Sequence, residues 1–252
     1  MMGKLKVAFF DFTSCNGCLL SMINHPEFVE VVSHVELADF RLVRSLKVEG
    51  PFDVSFVEGY PGDSHEIERL KKIREQSNML VALGACACTG SIQSIRNFFD
   101  LEEAANYVYK GVKKDIAEVK PLDAYVEVDF YLPGCPASGA EAVQTLKALL
   151  VGRKPEIPMH AVCVECKLRE TECVLVQGIP CLGPVTRGGC GAPCPAAGYI
   201  CDGCRGPCSD PNVASEVEIL RKLLGKEEIV RLFRRYASLK EAFKEVAEGK
   251  VE

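Results

Sequence analysis

Lys4-Leu5-Lys6-Val7-Ala8-Phe9-Phe10-Asp11-Phe12-Thr13-Ser14-Cys15-Asn16-Gly17-Cys18 carries the first decision about this chain. Its opening residues, Lys4–Phe10, form an apolar run of strand length that stops at an aspartate. Leu19–Ile23, directly after the two cysteines, reads as helix. The same phrase then recurs down the chain. Val35–Phe40 and Val54–Val57 are rich in strand formers, and Met79–Leu83 is a short apolar strand. Asp63–Gln76 places Ile67, Leu70 and Ile73 at helical spacing behind an acidic first turn. Tyr125–Leu132 is another strand, and Gly139–Leu150 is a helix with Ala142, Val143, Leu146 and Leu149 on one side. Strands alternating with helices over this length predict an α/β domain built on a doubly wound parallel sheet.

That fold gives the scattered cysteines a shared address. Cys15 and Cys18 follow the first strand, Cys86 follows the Met79 strand, and Cys135 follows the Tyr125 strand. In an open parallel sheet these positions fall at the carboxyl edge, where the ligand crevice forms. A pair with two residues between plus two remote thiols at one edge makes a four-thiolate site. A redox-active Cys15–Cys18 pair is the competing reading, and it needs neither Cys86 nor Cys135. Glu58, at the end of the Val54 strand, points to the same crevice or stands as a solvated strand-end carboxylate. Cys88 reads as a small buried hydrophobe.

The 252 residues hold 14 cysteines, and nine of them lie between Cys163 and Cys208. Fourteen of the 34 residues from Gly178 to Pro211 are Gly or Pro, which excludes long helices and central strands there. Three regions are expected: a sheet domain over 1–152, a cysteine-rich domain over 153–211 and a helical tail over 212–252. The tail carries Leu220, Leu224, Ile229, Phe233, Phe243 and Val246 at helical spacings, which suit packing on a protein surface. A net charge of −5 lacks the basic footprint of a nucleic-acid binder. The longest apolar stretch, Met79–Cys88, is far shorter than the roughly 18 residues a membrane span requires. No signal-type apolar segment opens the chain, so a cytoplasmic location is expected. Thiols stay reduced there, and clustered cysteines are metal ligands before they are disulfides. No glycine-rich nucleotide-binding motif occurs.

Within the rich segment the spacings are Cys163-x2-Cys166-x6-Cys173-x7-Cys181, then Cys190-x3-Cys194-x6-Cys201-x2-Cys204-x3-Cys208. Thiolate-only sites select zinc or iron–sulfur clusters. Structural zinc favours close cysteine pairs, often with histidine, and only His160 is near. Crowded cysteines among Gly and Pro, with Cys-Pro steps at Cys135 and Cys194, favour iron–sulfur. Zinc stays open at this point.

Phe12-Thr13-Ser14-Cys15-Asn16-Gly17-Cys18, Gly84-Ala85-Cys86-Ala87, Pro133-Gly134-Cys135-Pro136 and Cys181-Leu182-Gly183-Pro184 resemble the motifs of the small, electron-transfer (delta-type) subunit of [NiFe] hydrogenases. The likeness is to the cytoplasmic sulfhydrogenase and viologen-reducing type. The related quinone-reductase subunit has adjacent cysteines at the first motif, whereas Asn16-Gly17 separates them here. The resemblance implies a flavodoxin-like domain holding a proximal cluster through Cys15, Cys18, Cys86 and Cys135. It implies a distal cluster on Cys163, Cys166, Cys173 and Cys181, and a medial one on Cys190, Cys194, Cys201 and Cys204. All three would be [4Fe-4S], the medial one because Cys194 supplies a fourth thiolate. Cys88 and Cys208 are left over; Cys208 replacing Cys194 or Cys201, and His160 replacing Cys166, are the alternatives. The implied partners are the nickel–iron large subunit and a further flavin or iron–sulfur subunit. The hydrogen chemistry would lie on that large subunit, with no catalytic centre in this chain. Glu58 would stand near the proximal cluster, in a proton-transfer role. Arg187 and Arg205, interleaved with the cysteines, either offset cluster charge, dock an acidic partner or stay solvated. A zinc scaffold and a relay subunit of another oxidoreductase are the rival functions. The terminal acceptor (NADP, NAD, polysulfide, ferredoxin or a deazaflavin) is set by subunits other than this one.

Overall fold

A computed structural model of the chain describes residues 4–110 and 115–250. Its contacts divide into two units, Met1–Cys88 with Arg96–Glu156, and Thr89–Ile95 with Ile157–Glu252. The first unit runs β1 (Lys6–Asp11), α1 (Gly17–Ile23), α2 (Phe28–Ser33), β2 (Glu36–Phe40), β3 (Phe52–Glu58), α3 (Ser64–Glu75), β4 (Ser77–Leu83), α4 (Gly84–Thr89), α5 (Leu101–Tyr109), β5 (Phe130–Leu132) and α6 (Gly139–Leu150).

The five strands are all parallel, in the order β2-β1-β3-β4-β5, which is the flavodoxin-like doubly wound arrangement. Helices on both faces bury the central strands, so these read as continuous apolar runs instead of alternating ones. Phe9 sends its ring to one face, stacked on Phe40 at 4.4 Å and on Phe56 at 5.0 Å, with Phe28 of α2 edge-on behind. Its neighbours Ala8 and Phe10 join Phe52, Leu80 and the buried side of α3, Leu70 and Ile73, on the other face. The period of two along β1 thus divides one apolar run between two cores.

Register sets the functional edge. Asp11 pairs with Glu58, Glu58 with Leu83, and Leu83 with Leu132, so four strands end in a single row across the sheet. Whatever follows each strand emerges at the same edge.

One expected element differs. The strand expected over Tyr125–Leu132 shrinks to Phe130–Leu132, because a 3₁₀ turn at Leu122–Ala124 draws the N–H groups of Tyr125 and Val126 back onto the Leu122 carbonyl. The strand expected over Met79–Leu83 ends at Leu83, and the apolar text beyond it winds into the short helix α4.

The second unit carries α7 (Val162–Leu168), α8 (Pro193–Ala196), α9 (Val213–Leu220), α10 (Lys226–Arg234) and α11 (Glu241–Ala247). Among its described residues the only β features are isolated bridges, Ala161 with Arg187 and Thr186 with Pro207. The helices of the tail share a small core in which Phe233 meets Phe243 edge-on at 5.1 Å. The segment Thr89–Ile95 joins this core: Thr89 donates to the Tyr236 carbonyl at 2.6 Å and the Ser94 and Ser238 hydroxyls pair at 2.8 Å. Among the described residues, no helix is long and apolar enough to cross a membrane.

Candidate functional site

The row of strand ends places the segments of the first four cysteines at one edge of the sheet. After β1 the chain turns through Asn16, at φ 59°, into α1, which begins beside Cys15 and carries Cys18 in its first turn. After β4, Gly84 bends at φ +86°, and a Cβ there would lie 2.3 Å from the Cys18 sulfur. The next residue, Ala85, donates to the Gly134 carbonyl at 2.7 Å, which ties the Cys86 turn to the loop of Cys135. Ala137, two residues past Cys135, donates its N–H to the Cys18 sulfur at 3.4 Å. Cys86 lies within electrostatic reach of Cys18, and the Cys15 sulfur stands 3.2 Å from where a Gly17 Cβ would sit. Cys18 and Cys86 are buried while Cys15 and Cys135 are exposed, so the set opens outward on one side.

Glu58 ends β3 inside this group. It is 1% exposed, which removes the solvated reading. One carboxylate oxygen accepts the Cys18 N–H at 3.1 Å and the other the Leu19 N–H at 2.9 Å, so Glu58 satisfies two free donors at the start of α1. Burial raises its affinity for a proton, against those two N–H groups.

The second set, in the other unit, lines a cavity of about 120 Å³. Its wall holds Cys163 and Cys166 from α7 together with Cys173, Cys181, Gly183 and Pro195. The Cys181 sulfur accepts N–H groups from Gly183 at 3.4 Å and Cys201 at 3.3 Å. A Cβ on Gly183 would lie 3.4 Å from the Cys181 sulfur and 3.6 Å from that of Cys163. Burial and the neighbouring Cys166 push the Cys163 thiol up to about 11, and burial likewise raises Cys18 and Cys201. Such thiols stay protonated at neutral pH unless a bound cation takes the place of the proton, which passes to solvent. Four thiols round an apolar hollow, with backbone N–H groups on a sulfur, suit a thiolate-bound cluster. Among the described residues no group of three or more His, Cys, Asp or Glu side chains closes tightly enough for a single metal ion.

Of the remaining thiols, Cys201 is buried within electrostatic reach of Cys204 and Cys181, while Cys190 and Cys194 are exposed.

The known proteins speak to this arrangement. The family model of the NADH ubiquinone oxidoreductase 20 kDa subunit matches residues 15–149. The delta subunit of sulfhydrogenase 2 from Pyrococcus furiosus is 40% identical over 237 residues, 92% of this chain and 99% of that one. One subunit of the F420-non-reducing hydrogenase vhu from Methanocaldococcus jannaschii is 32% identical over 80% of this chain and 82% of its own. The chain is a hydrogenase subunit of the [NiFe] small-subunit family. A solved NAD+-reducing [NiFe]-hydrogenase contains a chain that superposes with a TM-score of 0.57 at 28% identity, covering 62% of this chain and 96% of that one. An actinobacterial-type NiFe-hydrogenase from Ralstonia eutropha superposes at 0.62 and 16% identity, over 84% and 81%, a likeness of fold alone.

Cys88 is 2% exposed in the sheet core, its sulfur 3.4 Å from the Ala82 carbonyl. Cys208 is buried, and its N–H bonds to the Val185 carbonyl at 3.0 Å. His160 faces Glu165, with Nε2 3.6 Å from Oε1. Arg205 is 2% exposed and donates to the Gly188 carbonyl at 2.6 Å, so the solvated and docking readings fall for that residue. The sequence reading missed Glu165, which sits inside Cys163-Val164-Glu165-Cys166 and looks there like any exposed helical glutamate.

Proposed function

We propose that this chain is the electron-transfer subunit of a cytoplasmic, sulfhydrogenase-like [NiFe] hydrogenase. It relays electrons through three [4Fe-4S] clusters between the nickel–iron site of the large subunit and a further flavin or iron–sulfur subunit. The observation that carries the reading is the apolar cavity walled by Cys163, Cys166, Cys173 and Cys181. Cys15, Cys18, Cys86 and Cys135 would hold the cluster nearest the large subunit, and Cys190, Cys194, Cys201 and Cys204 the middle one. When bound, each cluster supplies a one-electron couple whose potential answers to burial and to hydrogen bonds on sulfur. The chain's own part is to supply those bonds: Ala137 N–H to Cys18, and Gly183 and Cys201 N–H to Cys181. Glu58 fixes the turn that carries Cys18 and can hold a proton beside it.

Metal and acid-labile sulfide on the anaerobically purified protein test this. About 12 irons with equal sulfide are expected from three four-iron clusters. Zinc in a colourless solution would sink the proposal and restore the structural scaffold. Co-purification with a nickel-containing large subunit separates a hydrogenase from a relay of another oxidoreductase.

A further inference from the structure

The loop that delivers Cys190 is gripped by the helix that delivers Cys163 and Cys166. Gly189 donates its N–H to one carboxylate oxygen of Glu165, and Gly191 donates to the other at 2.9 Å. The Cys190 sulfur lies 3.7 Å from that second oxygen. One turn further along, Arg169 donates through Nη1 to the Gly191 carbonyl at 2.6 Å. At the loop's start, Gly188 donates to the His160 carbonyl at 2.7 Å and accepts from Arg205.

Helical spacing explains why one short helix can serve two sets. Cys163 and Cys166, three apart, reach the cavity they share with Cys173 and Cys181. Glu165 and Arg169, four apart, share a different stripe. The Glu165 side chain is only 12% exposed, and its oxygens are engaged by the loop and by His160. An ordinary surface glutamate would face water or a cation one turn away.

We propose that Glu165 and Arg169 are positioning residues, a strut that locks the Cys190 loop to α7 and so sets the second and third thiol sites as one piece. The proposal rests on the cluster reading above. Its effect is on the spacing between two clusters and on the polarity at the Cys190 sulfur, where a carboxylate oxygen stands. Hydrogen bonds and charge at a ligand sulfur tune a cluster's potential.

The test is a reductive titration of the anaerobically purified full chain, with its accompanying subunits, followed by electron paramagnetic resonance. Glu165→Gln keeps the shape but replaces one acceptor oxygen with a donor. The expected result is full iron content, a shift of the Cys190-set signal to higher potential, and altered spin–spin splitting between the two reduced clusters of this unit. Arg169→Gln, which removes the Gly191 carbonyl anchor and a positive charge near Cys166, should alter the splitting and leave the potential of the Cys190 set nearly in place. It carries the test alone if Glu165→Gln fails to fold. Wild-type splitting and potential in the variants, with only a lower melting temperature, would reduce the strut to a stability contact and overturn the proposal. Absence of iron from the wild-type protein would instead refute the cluster reading itself.

Discussion

In the sheet unit, Cys15, Cys18, Cys86 and Cys135 are spread over 121 residues, and their loops emerge at one edge because four parallel strands end in one row. In the cysteine-rich unit, Cys163, Cys166, Cys173 and Cys181 fall within 19 residues, and the buried residues around them include the cysteines themselves. The first unit owns a core of stacked phenylalanines and packed aliphatics that stands apart from its thiols. The second has a small helical core in its tail, but along 157–211 its apolar interior is mostly sulfur, alanine and valine. One unit keeps its four edge thiols apart from its core; the other has thiols within it.

The largest test of that contrast is to remove the metal. Oxidation and chelation of iron should abolish amide-exchange protection across residues 157–211 while β1, β3 and β4 stay protected, since binding free energy at such sites is folding free energy. Uniform loss across both units would erase the distinction. Next in size is Gly84→Ala. The new methyl would collide with the Cys18 sulfur and add strain of about 1–3 kcal/mol at a positive φ. The protein should lose about four irons, and its sheet should persist by circular dichroism. Retention of all iron would show that the Gly84 turn yields easily.

A smaller effect concerns Glu216 on α9, buried at 2% exposure with neither carboxylate oxygen bonded. Burial raises its pKa to about 7, well above the value for an exposed glutamate. The neutral form therefore contributes stability that is fully present below the unfolded value, near 4.5, and is lost as pH rises through about 7. Glu216→Gln should match the wild type in acid and exceed it by about 1–3 kcal/mol at alkaline pH, read from urea unfolding of the second unit. A gap that stays constant with pH would contradict this. The smallest change is expected from Cys88→Ala, a loss of about 1 kcal/mol with every iron retained. Any drop in iron would promote Cys88 from packing to ligand.

Much of the sheet unit was legible because periodicity and edge position are local signals. The apolar run of β1, the capped helix α3 behind Asp63 and the amphipathic α6 stand where the text places them. The carboxyl-edge rule places the segments of Cys15, Cys18, Cys86 and Cys135 at one edge of the sheet. What stayed hidden depends on tertiary partners. The short helix over Ala85-Cys86-Ala87-Cys88 has no sequence signal of its own and follows from the turn at Gly84. Glu58 reads equally as a crevice residue or a solvated strand end until the N–H groups of α1 arrive at its carboxylate. Glu165 gains meaning only when a loop more than twenty residues away folds onto it. The Cys163–Cys208 spacings announce metal chemistry but leave the allocation of thiols to sites, and the exchange of Cys208 or His160 into them, for iron counting and spectroscopy.

The segment Thr89–Ile95 bears on how such a protein can be recombined. It leaves the first unit directly after Cys88, bonds through Thr89 and Ser94 to Tyr236 and Ser238, and hands the chain back at Arg96. The chain therefore crosses between units three times, and neither unit is a contiguous stretch of sequence. A chimera joined at a single point near residue 156 would set Thr89 and Ser94 against a foreign tail, which keeps a backbone carbonyl for Thr89 but keeps the Ser94 contact only where it carries a hydroxyl at position 238. Exchange of the cysteine-rich unit between relatives is safest when those seven residues travel with it, which makes a short strand of text in the middle of one unit part of the heredity of the other.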